Sequence, residues 1–297
     1  MALETLQQLG QQLDSGVFPC VHNGGFVRPL ESAITSTRGE ETEDERQRAR
    51  RSATRSRQWS ASGQGSSCGQ GTRGSWPSGD ASPLVRPDLQ QQYREELSAV
   101  RDAYPKSLAW PLDEGMLLLV ESALIHGLGR SALFLVVVPR DTRRRVTSWG
   151  FWGSLALPGS WIGPRHTNAP DGSICAFELR DGTWQQGDSL VKLLDLYSLW
   201  AARHLHMERY QRWPGYQSVQ HTFERIVELR PDEYCGCSNS DKLYKDCCQS
   251  KDQKTSQLAA AIQYANSGFG SRLPPDCVND FLLHRKNHEV IMALTTA

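Results

Sequence analysis

Three apolar runs in close succession most constrain what this chain can fold into. "GMLLLVESAL" spans residues 115–124, "ALFLVVVP" spans 132–139 and "VTSWGFW" spans 146–152. Only short turns separate them. Strands at such spacing pair as an antiparallel meander, and Arg143, Arg144 and Arg145 fall in the polar turn "PRDTRRR". Helices are expected on both flanks. Upstream, "PDLQQQYREELSAVRDAYP" puts Leu89, Tyr93, Leu97, Val100 and Tyr104 on one helical face. Asp88 is its expected cap, Gln91 takes the capping-box position, and Pro105 ends it. Downstream, "GDSLVKLLDLYSLWAARHLHM" has Asp188 or Ser189 as cap and is apolar nearly all round. Such a helix is buried, so it packs against the sheet. Helix, meander, irregular segment and buried helix together predict an α+β layer arrangement.

The rest of the chain is less suited to a core. Apolar residues make up 38% of the 297, against about 45–50% in ordinary globular chains. Residues 36–83 are dominated by Ser, Arg, Gly, Gln, Glu and Thr. They cannot bury enough apolar surface to offset their ordering entropy. Residues 1–83 are therefore expected to be mostly disordered. A weak helical pattern of Leu3, Leu6, Leu9 and Leu13 and a Gly-rich turn at "HNGG" carry no assigned role. Within the linker, "GQGTRG" at 69–74 matches a dinucleotide fingerprint but lacks the strand and helix that give it meaning. The run "RQRARRSATRSR" at 46–57 is offset by the preceding "EETEDE". With 33 basic and 33 acidic residues, no whole-chain attraction to nucleic acid or membrane is implied. The N-terminus has no basic and apolar leader, and no run approaches the roughly 18 apolar residues of a membrane span. The expectation is a soluble, cytoplasmic protein.

Between the meander and the buried helix lies "RHTNAPDGSICAFELRDGTW", residues 165–184. Cys175 has no neighbouring Cys and sits between Ile174 and Ala176. It is either an inert core thiol, as buried Cys commonly is, or a nucleophile. Gly163, Pro164, Pro170, Gly172 and Gly182 make the segment irregular, and functional residues gather on such loops. Asn168 is near enough to aim its amide at a reacting carbonyl oxygen, and His166 brings a hydrogen-bonding ring. Two chemistries fit. Cys175 can carry an acyl group as a thioester, with Asn168 donating to the oxyanion formed under amine attack. Alternatively His166 or His204 deprotonates Cys175 in a cysteine hydrolase. No base with an orienting third group stands out, which favours the carrier.

At this point "RHTN…DGSICAFELRDGTW…GDSLVKLLDLYSLW" resembles the core of ubiquitin-conjugating enzymes. That family places a His-Pro-Asn tripeptide before the active Cys, then a Trp and a helix packed on the sheet. The resemblance implies that Cys175 is the nucleophile, Asn168 the oxyanion donor and His166 a loop organiser, with Trp184 at the family's Trp. Thr167 stands in place of the family's Pro, so the loop must be rigidified otherwise, for example by Pro164 and Pro170. "SWGFW", "WIGPRHTNAPDGSICAFELRDGTW" and "LLDLYSLWAARHLH" more narrowly resemble the bacterial ubiquitin-conjugating-like proteins of type II CBASS antiphage operons, over about residues 88–249. That likeness implies a partner, a cGAS/DncV-like nucleotidyltransferase, whose C-terminus is carried as a thioester and passed to an amine. The transfer would prime antiphage cyclic-oligonucleotide signalling. An inactive conjugating-like binding module and a cysteine hydrolase remain as alternatives.

Four of the eight cysteines crowd into "CGCSNSDKLYKDCC", residues 235–248. In a reducing compartment such a cluster binds metal rather than forming disulfides. Cys235, Cys237, Cys247 and Cys248 can present four thiolates to one tetrahedral zinc in a closed structural site. The pattern resembles the SEC-C motif, C-P-C-G-S-G-K-K-Y-K-x-C-C, with one extra residue between the pairs and Ser238 and Ser240 at the usual Gly positions. Tyr244 and Lys245 match it. Cys20, Cys68 and Cys277 have no metal-like partners. His204 and His206 either border the cleft or are satisfied elsewhere. The expected division is 1–83 mostly disordered, 84–225 an α+β ubiquitin-conjugating-like catalytic domain, 226–250 a zinc knuckle and 251–297 a helical tail.

Overall fold

The computed structural model describes residues 1–30, 87–141, 143–177, 182–237, 241–267, 272–286 and 288–293, with backbone alone for 87–92. The linker 36–83, with its "GQGTRG", its Arg run and Cys68, lies outside the described residues, as do the side chains of Asp88, Leu89 and Gln91. The elements in order are α1 (Ala2–Asp14), β1 (Cys20–His22), β2 (Phe26–Arg28), α2 (Pro87–Ala103), β3 (Ser107–Leu112), β4 (Gly115–Ser122), β5 (Ala132–Pro139), β6 (Thr147–Gly153) and β7 (Pro158–Trp161). There follow α3 (Leu190–Tyr210), α4 (Thr222–Glu228), a 3-10 turn (Tyr244–Asp246), α5 (Gln249–Asp252), α6 (Gln257–Asn266), α7 (Asp276–His284) and α8 (His288–Ala293). The fold is mixed α+β with antiparallel sheets.

The meander has five strands in the order β3-β4-β5-β6-β7 rather than three, all antiparallel. Its centre is the pair β4–β5, where Leu117 faces Val137 and Leu118 faces Val136. Every residue of both strands is buried. Side chains alternate across a strand, so a run apolar at every position requires a cover on each face. Met116, Leu118, Val120, Phe134 and Val136 point into a core shared with α1 and α3. Leu117, Leu119, Leu133, Leu135 and Trp149 point into a second core built with α7 and α8. The tail, whose place the sequence did not choose, thus closes the sheet's outer face.

On the inner face α3 is the central helix. Ser189 caps it, its hydroxyl accepting from Val191 N–H. Gly150 of β6 faces it, where a Cβ would stand 2.6 Å from Trp200 Cζ3. That absence of a side chain lets the Trp200 ring approach the strand backbone. α1 packs against α3. The contact is close at Gly10, where a Cβ would lie 2.2 Å from His206 Nε2. Leu6, Leu9 and Leu13 are buried in the same core, while Leu3 is exposed.

The expectation of a mostly disordered segment 1–83 therefore needs correction at its start. Residues 2–28 form a helix and a hairpin, and the leucine pattern is the helix's buried face. Truncating a fully buried Leu costs about 2–5 kcal/mol. Leu9→Ala should lower the unfolding free energy by about that much in urea titration; an unchanged midpoint would show that α1 is not part of the core.

Candidate functional site

The segment 162–189 leaves the sheet at β7 and returns to it. Ile162 N–H donates to Gly150 O at 2.9 Å, and Ile174 N–H donates to Ser148 O at 2.7 Å. Between them the chain folds back on itself. Thr167 and Ile174 form an antiparallel bridge, Cys175 N–H donates to His166 O at 3.0 Å, and Asn168 N–H donates to Ser173 O at 2.7 Å. Three indoles hold this loop, two from the outer-face core and one from α3. Trp200 Nε1 donates to His166 O at 2.9 Å, Trp149 Nε1 to Asp171 O at 2.8 Å, and Trp161 Nε1 to Gly172 O at 3.2 Å. Thr167 Oγ1 donates to Pro164 O at 2.5 Å. The rigidity that a Pro would have given position 167 comes from these bonds.

The loop brings together all three residues singled out in the sequence. Cys175 is partly buried. The Asn168 amide donates to Ile174 O at 3.0 Å and Ser173 Oγ at 3.2 Å. It is thus held against the peptide that precedes Cys175. His166 has a left-handed φ of 52°. Its ring lies on Trp213 with centroids 4.0 Å apart.

The His166 tautomer follows from its neighbours. Gln217 Oε1 accepts from Arg165 Nη2 at 2.7 Å, and Gln217 Nε2 donates to Tyr234 O at 2.7 Å. Those partners fix which end of the amide is oxygen. His166 Nε2, 3.1 Å from Gln217 Oε1, must then carry the proton. Burial, and next the Arg165 cation, hold the ring's pKa well below its ordinary value. His166 is a neutral donor that pins the loop.

Cys175, Asn168 and His166 face a cleft of about 180 Å³, closed on the far side by His221, Glu228 and Arg272. The sequence did not single out these last three. They come from the start of α4, its end and the segment before α7, so local spacing carries no sign of them. His221 Nδ1 accepts from Phe223 N–H at 3.2 Å, capping α4. The neutral ring therefore carries its proton on Nε2, and burial, with the Arg225 and Arg272 cations, lowers its pKa. Arg272 pairs with Glu224 and, at 3.4 Å, with Glu228. Burial pushes the Glu228 carboxyl up to about 7. The Arg165 cation works against that rise and the Glu233 carboxylate adds to it. His204 and His206 do not reach the cleft. His204 is buried between Trp200 and Trp213, and burial brings it down to about 3. His206 Nδ1 lies 3.1 Å from Arg212 O.

Cys235, Cys237, Cys247 and Cys248 present four sulfurs within 4.8 Å of one another. Cys237 and Cys247 Sγ are 3.5 Å apart, and Cys247 and Cys248 Sγ are 3.8 Å apart. A tetrahedral thiolate site with bonds of about 2.3 Å has edges of about 3.8 Å, so the geometry fits one metal ion. The cluster's own core is small: Val219, Leu229, Cys235 and Tyr244. Cys20 is exposed and Cys277 partly buried, both away from this group. The expected division at 225/226 falls inside α4. The cleft and the knuckle share that helix.

No protein-family model matches the chain, and neither a curated protein nor a solved structure matches it. No helix among the described residues is long and apolar enough to cross a membrane.

Burial pushes the metal-free thiols of Cys235, Cys247 and Cys248 up to about 11. Near neutral pH they are protonated, whereas metal ligands are thiolates. Metal uptake at pH 7 should therefore release at least three protons, and affinity should rise with pH. Calorimetry in buffers of different ionisation enthalpy reads the number directly; a pH-independent affinity would exclude the thiolate site.

Proposed function

We propose that this chain is a ubiquitin-conjugating-like transferase that carries an acyl group as a thioester on Cys175. The carrying observation is that Cys175, Asn168 and His166 share one pinned loop at an open cleft. The surrounding order supports the reading: a helix, an antiparallel meander, the Cys loop and a buried helix on the sheet. In this reading the acyl group is the C-terminal carboxyl of a partner cGAS/DncV-like nucleotidyltransferase, the acceptor is an amine, and the setting is antiphage signalling in the cytoplasm, as in type II CBASS operons.

The Cys175 sulfur attacks a carboxyl already activated as a mixed anhydride; the C–S bond forms, the leaving group departs, and the thiol proton goes to solvent. An amine nitrogen then attacks the thioester carbonyl. The C–N bond forms, the C–S bond breaks, Cys175 leaves as thiolate, and the amine proton passes to solvent. The intermediate carries charge on the former carbonyl oxygen. Asn168 answers it by exchanging its longer bond, to Ser173 Oγ, for one to that oxygen; such a donor is worth about 2.7–4 kcal/mol of barrier. His166, neutral and engaged with Gln217, takes no proton.

One observation favours a hydrolase: His221 and Glu228 line the same cleft. The bond from Phe223 N–H occupies the Nδ1 lone pair of His221, and Glu228 is engaged by Arg272. Neither presents the unpaired base that would activate water or the thiol.

For the cysteine cluster we propose zinc, because the donor set is four thiolates in a closed site. Its chemistry there is structural: it would crosslink residues 235–248, whose own core is too small to hold them.

The test is co-expression with the proteins encoded beside this gene, followed by non-reducing mass spectrometry. A thiol-labile adduct on Cys175 is expected, absent in Cys175→Ala and replaced by a thiol-stable ester in Cys175→Ser. A wild-type protein that stays unmodified beside an intact, activated partner would overturn the transferase reading.

A further inference from the structure

We propose that the cysteine cluster is the anchor that presents the Cys175 thiol, and that Gln217 is the positioning residue through which it acts. Gln217 joins the two sites directly. Its oxygen holds Arg165 and His166 of the Cys loop, while its nitrogen donates to the carbonyl of Tyr234, the residue before Cys235. Beside it runs a second link. Glu233, 0% exposed, accepts from both terminal nitrogens of Arg165, at 3.2 and 2.5 Å, and from Trp213 N–H at 2.6 Å. Trp213 is the ring on which His166 lies. Neither charge of a buried pair is tolerated alone, so Glu233 must stay where the cluster puts it.

The opposite wall of the cleft hangs on the same cluster. Arg225 of α4 makes two bonds to the buried Asp252, at 2.8 and 2.9 Å. Asp252 lies on α5, which begins immediately after Cys248. α4 carries Glu224 and Glu228 to the cleft. Between the two walls, Val219 N–H donates to Gly236 O at 2.9 Å. Gly236 has a φ of 72°, and a Cβ there would come 2.6 Å from Val219 N. Gly236 lies between Cys235 and Cys237, and only glycine there permits this contact with Val219. Loss of the metal would free residues 233–236 and Asp252 together, and with them both sides of the cleft.

This inference rests on the transferase reading only for the use to which the presented thiol is put; its test involves no acyl transfer. Hydrogen exchange and peptide-resolved iodoacetamide labelling of Cys175 are measured on the zinc-loaded full chain, after chelation, after zinc is returned, and on Gln217→Leu. Chelation should raise amide exchange in residues 166–175 by about tenfold, the scale of one lost hydrogen bond in a local opening. Cys175 labelling should quicken, and returned zinc should restore both. Gln217→Leu should show the same changes with its zinc content intact, and chelating that variant should add little more, whereas a side chain acting independently of the cluster would give additive increases. Unchanged exchange and labelling in the loop after chelation or in Gln217→Leu would overturn the inference. So would loss of protection in β4 and β5 along with the loop, since the cluster would then be a general staple of the fold. A missing Cys175 thioester under co-expression leaves this result unaffected.

Discussion

The buried pair of Arg165 and Glu233 is the interaction on which the arrangement of the site depends. It joins Arg165 of the Cys loop to a carboxylate two positions before Cys235, the first cysteine of the cluster. Removing one partner of such a pair costs about 3–5 kcal/mol, because the other is left as a buried charge. The pair thereby fixes the distance between loop and knuckle. It also places the cation beside His166 and His204, which adds to burial in keeping both rings neutral. A neutral His166 can donate to Gln217 without bringing a second cation into the same pocket. Electrostatics and loop geometry are one constraint here.

The sheet supplies the rigid floor for that constraint. With both faces of β4 and β5 covered, the central strand pair is clamped between two packed cores. The indoles of Trp149, Trp161 and Trp200 rise from this floor and from α3 to grip the loop carbonyls. The tail that covers the outer face also leads in through Arg272, which closes the cleft against Glu224 and Glu228. The C-terminal residues are thus part of the site's wall as well as of the core.

Much of this was legible in the sequence where the signal was local. β4, β5 and β6 announced themselves as apolar runs, α3 by its all-round apolar face, and the cysteine cluster by its spacing. The Cys loop was visible as an irregular segment holding His166, Asn168 and Cys175. The two strands missed in the meander are both edges of its sheet, and the short hairpin of β1 and β2 was seen only as a Gly-rich turn. β3 contains Pro111 and β7 consists of "PGSW", composition that weakens a strand signal yet is tolerated at an edge, where no further ladder is needed. The N-terminal leucines were visible as a pattern, but the surface they bury against belongs to α3, almost 200 residues away. His221, Glu228 and Arg272 were invisible for the same reason: long-range packing brings them to Cys175, and no spacing along the chain encodes it.

The most direct measurement of the central claim is the fate of a preformed Cys175 thioester. The protein is loaded by exchange with a small peptide thioester and discharged with free lysine or with water alone. A transferase at this site predicts discharge that rises with lysine concentration and far outruns hydrolysis. It also predicts that Asn168→Ala slows lysine discharge by about 10²–10³-fold while leaving loading intact. Discharge to water at a rate indifferent to lysine and to Asn168 would contradict it.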